Sequence, residues 1–471
     1  MARVGNMSIV TNEDSLGLSK MKKTCALLFL LPGIWLLIHY CFGFASLNVH
    51  AIVFEVGPGK KHEHIFQVPL DQLNPGDVVK IYYRNKPYNE KFIIRRSGTP
   101  KAPIVITGVP SNGRLPIIEG INAVQRQSDP THDTGRYLIK IGDQAPGDYV
   151  IIKNLHLRHA NNHNGHISDD GRQRPYTDNA AGVFLYWGRH VTISRCIIQS
   201  CGDGVLTNHS PNVTHARISH CNIFDNGNFA NPASSQEHNV YLQGTQTIVE
   251  FCYFGPVHSD GHLIKDRGKS TVIRYNWLDG GLSRQLDLVD YEAYKIADVV
   301  VYGNVILQGK KSNNYNMVHF GGDSGKSRLG TLYFFNNTIV SQSPRTIFIF
   351  NRYSKCSIIL INNAFIGGGL LWNGKGRLKG NNNWIQYGIR GHFDPAIAIR
   401  GHNPGFIKGF IIPYVPSPYS VLTDTGSNRV PLPVGYMPKP NSGGFRRPGG
   451  SNLDIGAYES ANRWFKPGKK P

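Results

Sequence analysis

The chain has 471 residues, 52 of them Gly and 28 Pro against only 5 Met, and its 51 Lys and Arg outnumber 31 Asp and Glu for a formal net charge of +20. Short apolar runs rich in β-branched and aromatic residues, without helical heptads, exclude a helical bundle or coiled coil and favour an all-β chain with a large core. The positive balance suits a polyanionic partner or an anionic surface, although Lys20, Lys22, Lys23, Arg446, Arg447, Lys466, Lys469 and Lys470 place part of it in the termini.

Residues 25–45 (CALLFLLPGIWLLIHYCFGFA) form an apolar run of 21 residues behind Met21, Lys22 and Lys23. A basic start, an apolar middle and the small residues Gly43 and Ala45 before a cut predict export to the periplasm or the medium. The run could also span a bilayer, so an inner-membrane anchor is the alternative, weakened by Pro32, Gly33 and His39. Membrane contact is expected through this segment alone. Two of the seven cysteines lie within it. The remaining five, an odd number without a CxxC pair, indicate neither a zinc site nor a disulfide framework.

From residue 65 to 123, the runs VVKIYY, KFIIRR, PIVITG and PIIEG alternate with Pro, Gly and Asn turns, which is strand punctuation. Residues 149–156 (YVIIKNLH) read as a variant first copy of a repeat around Asn154. Residues 160–180, polar and rich in His, Asn and Asp, read as a loop inserted on one face. Regular copies follow, each an apolar residue, two variable ones, Asn or Cys, one variable one, then Ile, Leu or Phe. They centre on Cys196, Cys221, Cys252, Asn276, Asn304, Asn337 and Asn363, at spacings of 25, 31, 24, 28, 33 and 26 residues. A period of this length marks a solenoid. Asn at the repeated position can stack on the Asn one coil away, and Cys there reads as a small buried apolar residue. These observations predict a single-stranded parallel β-helix over residues 52–383, of about eight to ten coils. A 1–51 leader precedes it, and a Gly- and Pro-rich cap at 384–471 follows, covering the last coil's open edge.

Pro75-Gly76-Asp77, Ser97-Gly98-Thr99 and Pro103-Ile104-Val105-Ile106 resemble, in this order, the opening coils of exported bacterial right-handed parallel β-helix proteins of the pectate-lyase-like superfamily. Residues 454–459 (DIGAYE) resemble the closing hexapeptide of many such proteins, so the likeness runs from about residue 62 to 460. The string Asp260-Gly261-His262-Leu263-Ile264-Lys265-Asp266-Arg267, followed by VIRYN, is similar to the motif of the polysaccharide lyases that include chondroitinase B and alginate lyases. That resemblance implies β-elimination on an acidic, uronate-containing polysaccharide, with Lys265 as general base and Arg284 as acid. It also implies calcium on a Glu-x-Glu pair, whose positions here hold His258 and Asp260 around Ser259, so one hard carboxylate is replaced. No other cofactor is indicated.

A base beside a uronate carboxylate needs cations to neutralise the acidified group, and this window supplies them densely. His238 and Tyr241 one coil earlier, His262 and Arg267 in the motif, and His319 two coils later are the expected groove residues for a sugar. The alternation of GHLIKDR leaves both facings of Lys265 open: outward into the groove, or inward, where an unpaired charge would be costly. A turn lysine paired with Asp266 is the bland reading, and Arg267 with Asp287 would make a weak surface ion pair. A monomer acting on an acidic polysaccharide, with no nucleic acid partner, is the functional expectation. A non-catalytic glycan-binding or adhesin-like β-helix is the alternative.

Overall fold

The computed structural model describes residues 51–464 except 132–133, 290–295 and 323–327. The chain divides into two compact units, Met1–Asn48 and Val49–Pro471. The first, with its apolar run, lies outside the described residues. Among the described residues no helix is long and apolar enough to cross a membrane.

The second unit winds into a parallel β-helix of three long sheets with 12, 14 and 11 strands. It is right-handed, the hand that parallel crossover connections take. All four opening runs form strands, at Val78–Tyr82, Glu90–Ile94, Ile104–Val109 and Ile117–Glu119. The first sheet therefore has 12 strands where the repeat predicts eight to ten coils. The repeat undercounts because the opening coils turn without the Asn or Cys position. At the far end, the third sheet continues past Asn383 to a strand at Ala398–Gly401.

The repeated position is the corner between the first and third sheets. Arg195, His220, Phe251, Tyr275, Asn336, Asn362 and Asn382 have φ of +50° to +57°, and Gly303 has +66°. The Asn or Cys of each copy follows this left-handed residue, which bends the chain sharply and throws its own side chain outward. In the coil of Val150–Lys153, Asn154 itself has φ +57°, and the backbone N–H of Ile197 bonds to the carbonyl of Leu155. Leu155, not Asn154, therefore occupies the stacked position of that copy.

Behind the corner, the amides form a ladder. Asn276 donates to Asn304 Oδ1 from its backbone N at 2.9 Å and its Nδ2 at 3.0 Å. Asn304 does the same to Asn337, Asn337 to Asn363, and Asn363 to Asn383. Each of these five side chains is fully buried. Upstream, the Cys252 backbone N–H bonds to Asn276 Oδ1 at 2.9 Å. The thiols of Cys196, Cys221 and Cys252 donate to backbone carbonyls of their own coils. All five described cysteines are free and buried.

Two segments depart from expectation. Within residues 160–180, Gly165–Ile167 and Gln173–Pro175 pair antiparallel and extend the edge of the second sheet beside Ala123–Gln125, so this insertion is a hairpin that satisfies its own backbone. The C-terminal segment is irregular but packs along the side of the solenoid and not over its end. Tyr458, Ala457, Met437 and Val415 bury Trp277 and Val305, while Val434 joins Tyr275, Tyr302 and Phe335. The outer faces of the first and third sheets carry these apolar side chains, which need cover.

Asn304→Ala leaves the buried N–H groups of Asn276 without an acceptor, so we expect a loss of about 3 kcal/mol, read as a lower midpoint in urea unfolding. An unchanged midpoint would remove the ladder from the account of coil register.

Candidate functional site

The second sheet carries the polar window. Its pairing places Tyr241 beside Lys265, Lys265 beside Asp287, Asp287 beside His319 and His319 beside Phe350, one per coil. Their strand neighbours Val240, Ile264, Leu286 and Val318 lie in the main core. Strand alternation therefore turns Tyr241, Lys265, Asp287 and His319 to the outer face, which settles the facing of Lys265.

Asp287 is the centre of the arrangement. Fully buried, it accepts from Lys265 Nζ at 3.0 Å on Oδ2, and from Arg284 Nη1 and His319 Nδ1, each at 2.9 Å, on Oδ1. His262 Nε2 stands 3.4 Å from Oδ2. Burial alone would push this carboxyl up, but the imidazoles of His262 and His319 and the Lys265 amine outweigh it and hold the group well below the usual carboxylate range. Sequence reasoning made Asp287 one half of a weak surface pair with Arg267; the structure makes it a buried hub. Asp266, expected on Lys265, instead faces the other way and takes Arg328 Nη2 at 3.0 Å, Thr271 Oγ1 and the Gly268 amide.

A second chain of bonds runs from Asp203. Its Oδ1 accepts the backbone N–H of His238 at 2.7 Å, and His238 Nδ1 accepts the backbone N–H of His262 at 3.0 Å. The two imidazoles stack with centroids 4.9 Å apart. Burial, helped by His262 and Lys265, pushes His238 well below its ordinary value, and burial also lowers His262. His238 is thus a neutral imidazole whose Nδ1 accepts, which leaves the proton on Nε2. Asp203 has no charge partner at its buried Oδ2, and burial raises it well above the carboxylate range, so it is held as the neutral acid.

These residues floor a cleft of ≈ 420 Å³ in which Tyr241, Lys265, Arg267 and Arg284 line one wall and floor, and residues 235–236 and 313–314 stand opposite. His238 and His262 also line it. His319, expected in the groove, does not: 2% exposed, it sits behind Asp287 and beside the Phe350 ring. The structure thus brings together Lys265, Arg284, His238, Tyr241, His262 and Arg267, and it adds Asp287 and Asp203, which the sequence reading left outside the site. Aligning LIKD, QLDL and MVHF strand by strand would have exposed Asp287.

Among the described residues no three His, Cys, Asp or Glu side chains gather to hold a metal ion. At the Glu-x-Glu positions, the His258 ring stacks on Phe229 and its Nδ1 faces Asp225 at 3.5 Å, whereas Asp260 accepts from Asn313. The two side chains have separate partners and do not fit a shared calcium ion.

No family model and no curated protein sequence matches the chain. Among solved structures, the pectate lyase Pel9A matches with a TM-score of 0.51 at 14% identity, over 88% of this chain and 98% of that one. An alginate lyase from Paenibacillus sp. FPU-7 matches at 0.42 and 14% identity, over 67% of this chain and 94% of its own. AlyGC, a PL6 family alginate lyase, matches at 0.46 and 12% identity, over 74% and 54%. The chain has the parallel β-helix fold of the pectate lyase, and the likeness is one of fold.

Asp287→Asn keeps the shape and removes the charge that Lys265 and Arg284 share, so stability at pH 7 should fall by about 3 kcal/mol. The folded carboxyl titrates below its unfolded value of about 3.9. Its contribution is therefore fully present above that value and is lost as pH falls through the folded-state value. Urea unfolding should show a constant gap between the two proteins from about pH 5 to 8, closing only below about pH 4. A gap that closes near neutrality would show Asp287 to be protonated in the fold.

Proposed function

We propose that the chain is a polysaccharide lyase that cleaves an acidic, uronate-containing polysaccharide by β-elimination. The observation that carries this reading is the convergence of Lys265 and Arg284 on the buried Asp287 carboxylate at the floor of an open polar cleft. A shallow sheet face flanked by turns accepts an extended polymer, and the cations give its carboxylates a counter-charge.

In the proposed reaction, Arg284 and Arg267 seat the uronate carboxylate and neutralise the charge that grows on it as the neighbouring C5 proton leaves. Lys265 takes that proton, after its nitrogen turns from Asp287 to the sugar. The C5 electron pair forms the C4–C5 double bond, and the C4–O bond breaks with its pair going to the leaving oxygen. The family resemblance gives the oxygen's proton to Arg284. A guanidinium keeps its protons in proteins, so we assign that proton to the Tyr241 hydroxyl, which stands in register with Lys265 on the adjacent strand. Adjacent strands lie about 4.8 Å apart, within the span of one sugar residue. Asp287 holds Lys265 and Arg284 in place, and Asp203 holds His238 through its backbone. No step requires calcium. We also propose export with residues 25–45 as the leader.

The assay incubates the purified protein with alginate, pectate and dermatan sulfate, with and without calcium, and follows the ultraviolet absorbance of the unsaturated uronate. Lys265→Ala should lower kcat roughly 100- to 10 000-fold while polymer affinity changes little, because a base acts only in the transition state. Tyr241→Phe should also cost kcat more than KM. Product formation that survives Lys265→Ala would keep the class and sink this site. Binding without product on every polymer would leave a glycan-binding protein, a reading favoured by the loss of the Glu-x-Glu pair.

A further inference from the structure

The coils that build the cleft on the second sheet also build a cavity on the outer side of the first. Its volume is ≈ 520 Å³, in the range of small-molecule sites, and it lies between the solenoid and the C-terminal strap. At its base is Glu250, fully buried, which binds two guanidiniums: Arg217 through Oε1, and Arg274 Nε through Oε2 at 2.7 Å. Arg274 Nη1 also donates to the Tyr302 hydroxyl at 2.9 Å. Each guanidinium has five donors in a fixed fork, so Arg217 keeps Nε and Nη1, and Arg274 keeps Nη2, for a ligand. The side chains are 49% and 29% exposed. Arg195 and Lys439 act on the same pocket, because both, with Arg217, depress the neighbouring His220. Burial is the first cause of that shift. Four cations thus surround one buried carboxylate.

The other wall is aromatic. The left-handed corner residues His220, Phe251 and Tyr275 project outward and stack, with centroids 4.9 and 5.3 Å apart. Tyr436 of the strap meets Phe251 and Tyr275 edge-on and is 46% exposed. The strap is pinned there by its Gly435 amide, which donates to the Tyr275 hydroxyl, and Gly444 lets it approach, since a Cβ there would lie 2.6 Å from the Phe251 ring.

An exposed tyrosine beside preorganised guanidiniums matches a pyranose ring bearing a carboxylate: the C–H face of the sugar covers the aromatic ring, and the carboxylate takes the fork. We propose that this cavity is a second, non-catalytic saccharide site that binds a uronate unit of an acidic polysaccharide. It shares its ligand class with the proposed function but none of its residues, so the substrate class rests on that reading while the site does not need the lyase chemistry.

The test uses the full chain carrying Lys265→Ala and Arg284→Gln, which disables the cleft, titrated calorimetrically with oligogalacturonate and oligoalginate. Acidic oligosaccharide should still bind, and adding either Tyr436→Ala or Arg217→Gln should weaken it at least about tenfold, with the melting temperature confirming the fold of each variant. Cello-oligosaccharides of equal length should bind at least about tenfold more weakly. Absence of binding in the cleft-disabled protein, unchanged affinity in both added variants, or equal affinity for the neutral sugar would each overturn the proposal. If the cleft-disabled protein fails to fold, hydrogen exchange decides in the wild-type chain: protection of residues 434–436 by oligogalacturonate supports the site, and its absence rejects it. The lyase reading is judged separately by product absorbance.

Discussion

Coil register is the constraint on which the rest of this molecule depends, and a column of buried side chains at one corner sets it. Each Asn amide occupies both the backbone N–H and the side-chain N–H of the Asn one coil earlier. A displaced coil would therefore bury several unpaired polar groups at once, at about 1 to 3 kcal/mol each. Strands have a side-chain period of two, so a slip of one residue would turn Lys265 and Asp287 into the core and Ile264 and Leu286 out of it. The ladder lies far from the cleft in sequence terms, yet it decides which side chains the cleft contains.

Register also explains why a fully buried carboxylate is tolerated. Removing Asp287 from water is costly, and one partner would not offset the loss. Fixed strands bring Lys265 from one coil, Arg284 from its own and His319 from the next, so that both oxygens are occupied from several directions. The same rigidity makes the site preorganised: the cations are positioned by the fold before any substrate arrives, and no reorganisation is needed when charge develops. Asp203 shows the opposite solution. With one oxygen on a backbone amide and the other without a partner, it stays neutral instead of being neutralised by a cation.

The fold was legible because its cause is local and repeated: an Asn or Cys behind a bend, seven times, at solenoid spacing. The polar window and most of the groove residues were legible for the same reason, as exceptions to a regular pattern. Asp287 was not, because its role depends on which residues stand opposite it, and the motif fixes the corner but not the length of the turns leading to the second sheet. The C-terminal strap was illegible for a different reason. Its contacts pair Tyr458 and Val434 with side chains more than a hundred residues earlier, and nothing in a Gly- and Pro-rich sequence encodes which surface it covers. Asn154 was misplaced because the left-handed bend accepts Asn as readily as the ladder does.

Unequal coil lengths, which blur the period, have a structural meaning. The coil from Cys252 to Asn276 is the shortest, at 24 residues, and it supplies the floor: His262, Lys265 and Arg267. The preceding coil, at 31 residues, spends its extra length on the turn that carries residues 233–236, and the coil of 33 residues that begins at Asn304 raises Asn313 and Asn314. A depression thus arises wherever a short coil lies between long ones, since the corner keeps every coil in step and only the turns can differ. The aromatic cavity on the first sheet has another origin. There the strands are equal and the wall is imported, as the strap folds back over the stacked corner rings. One invariant corner supports two ways of making a concave surface: variation in the turns on one face, and an added segment on another.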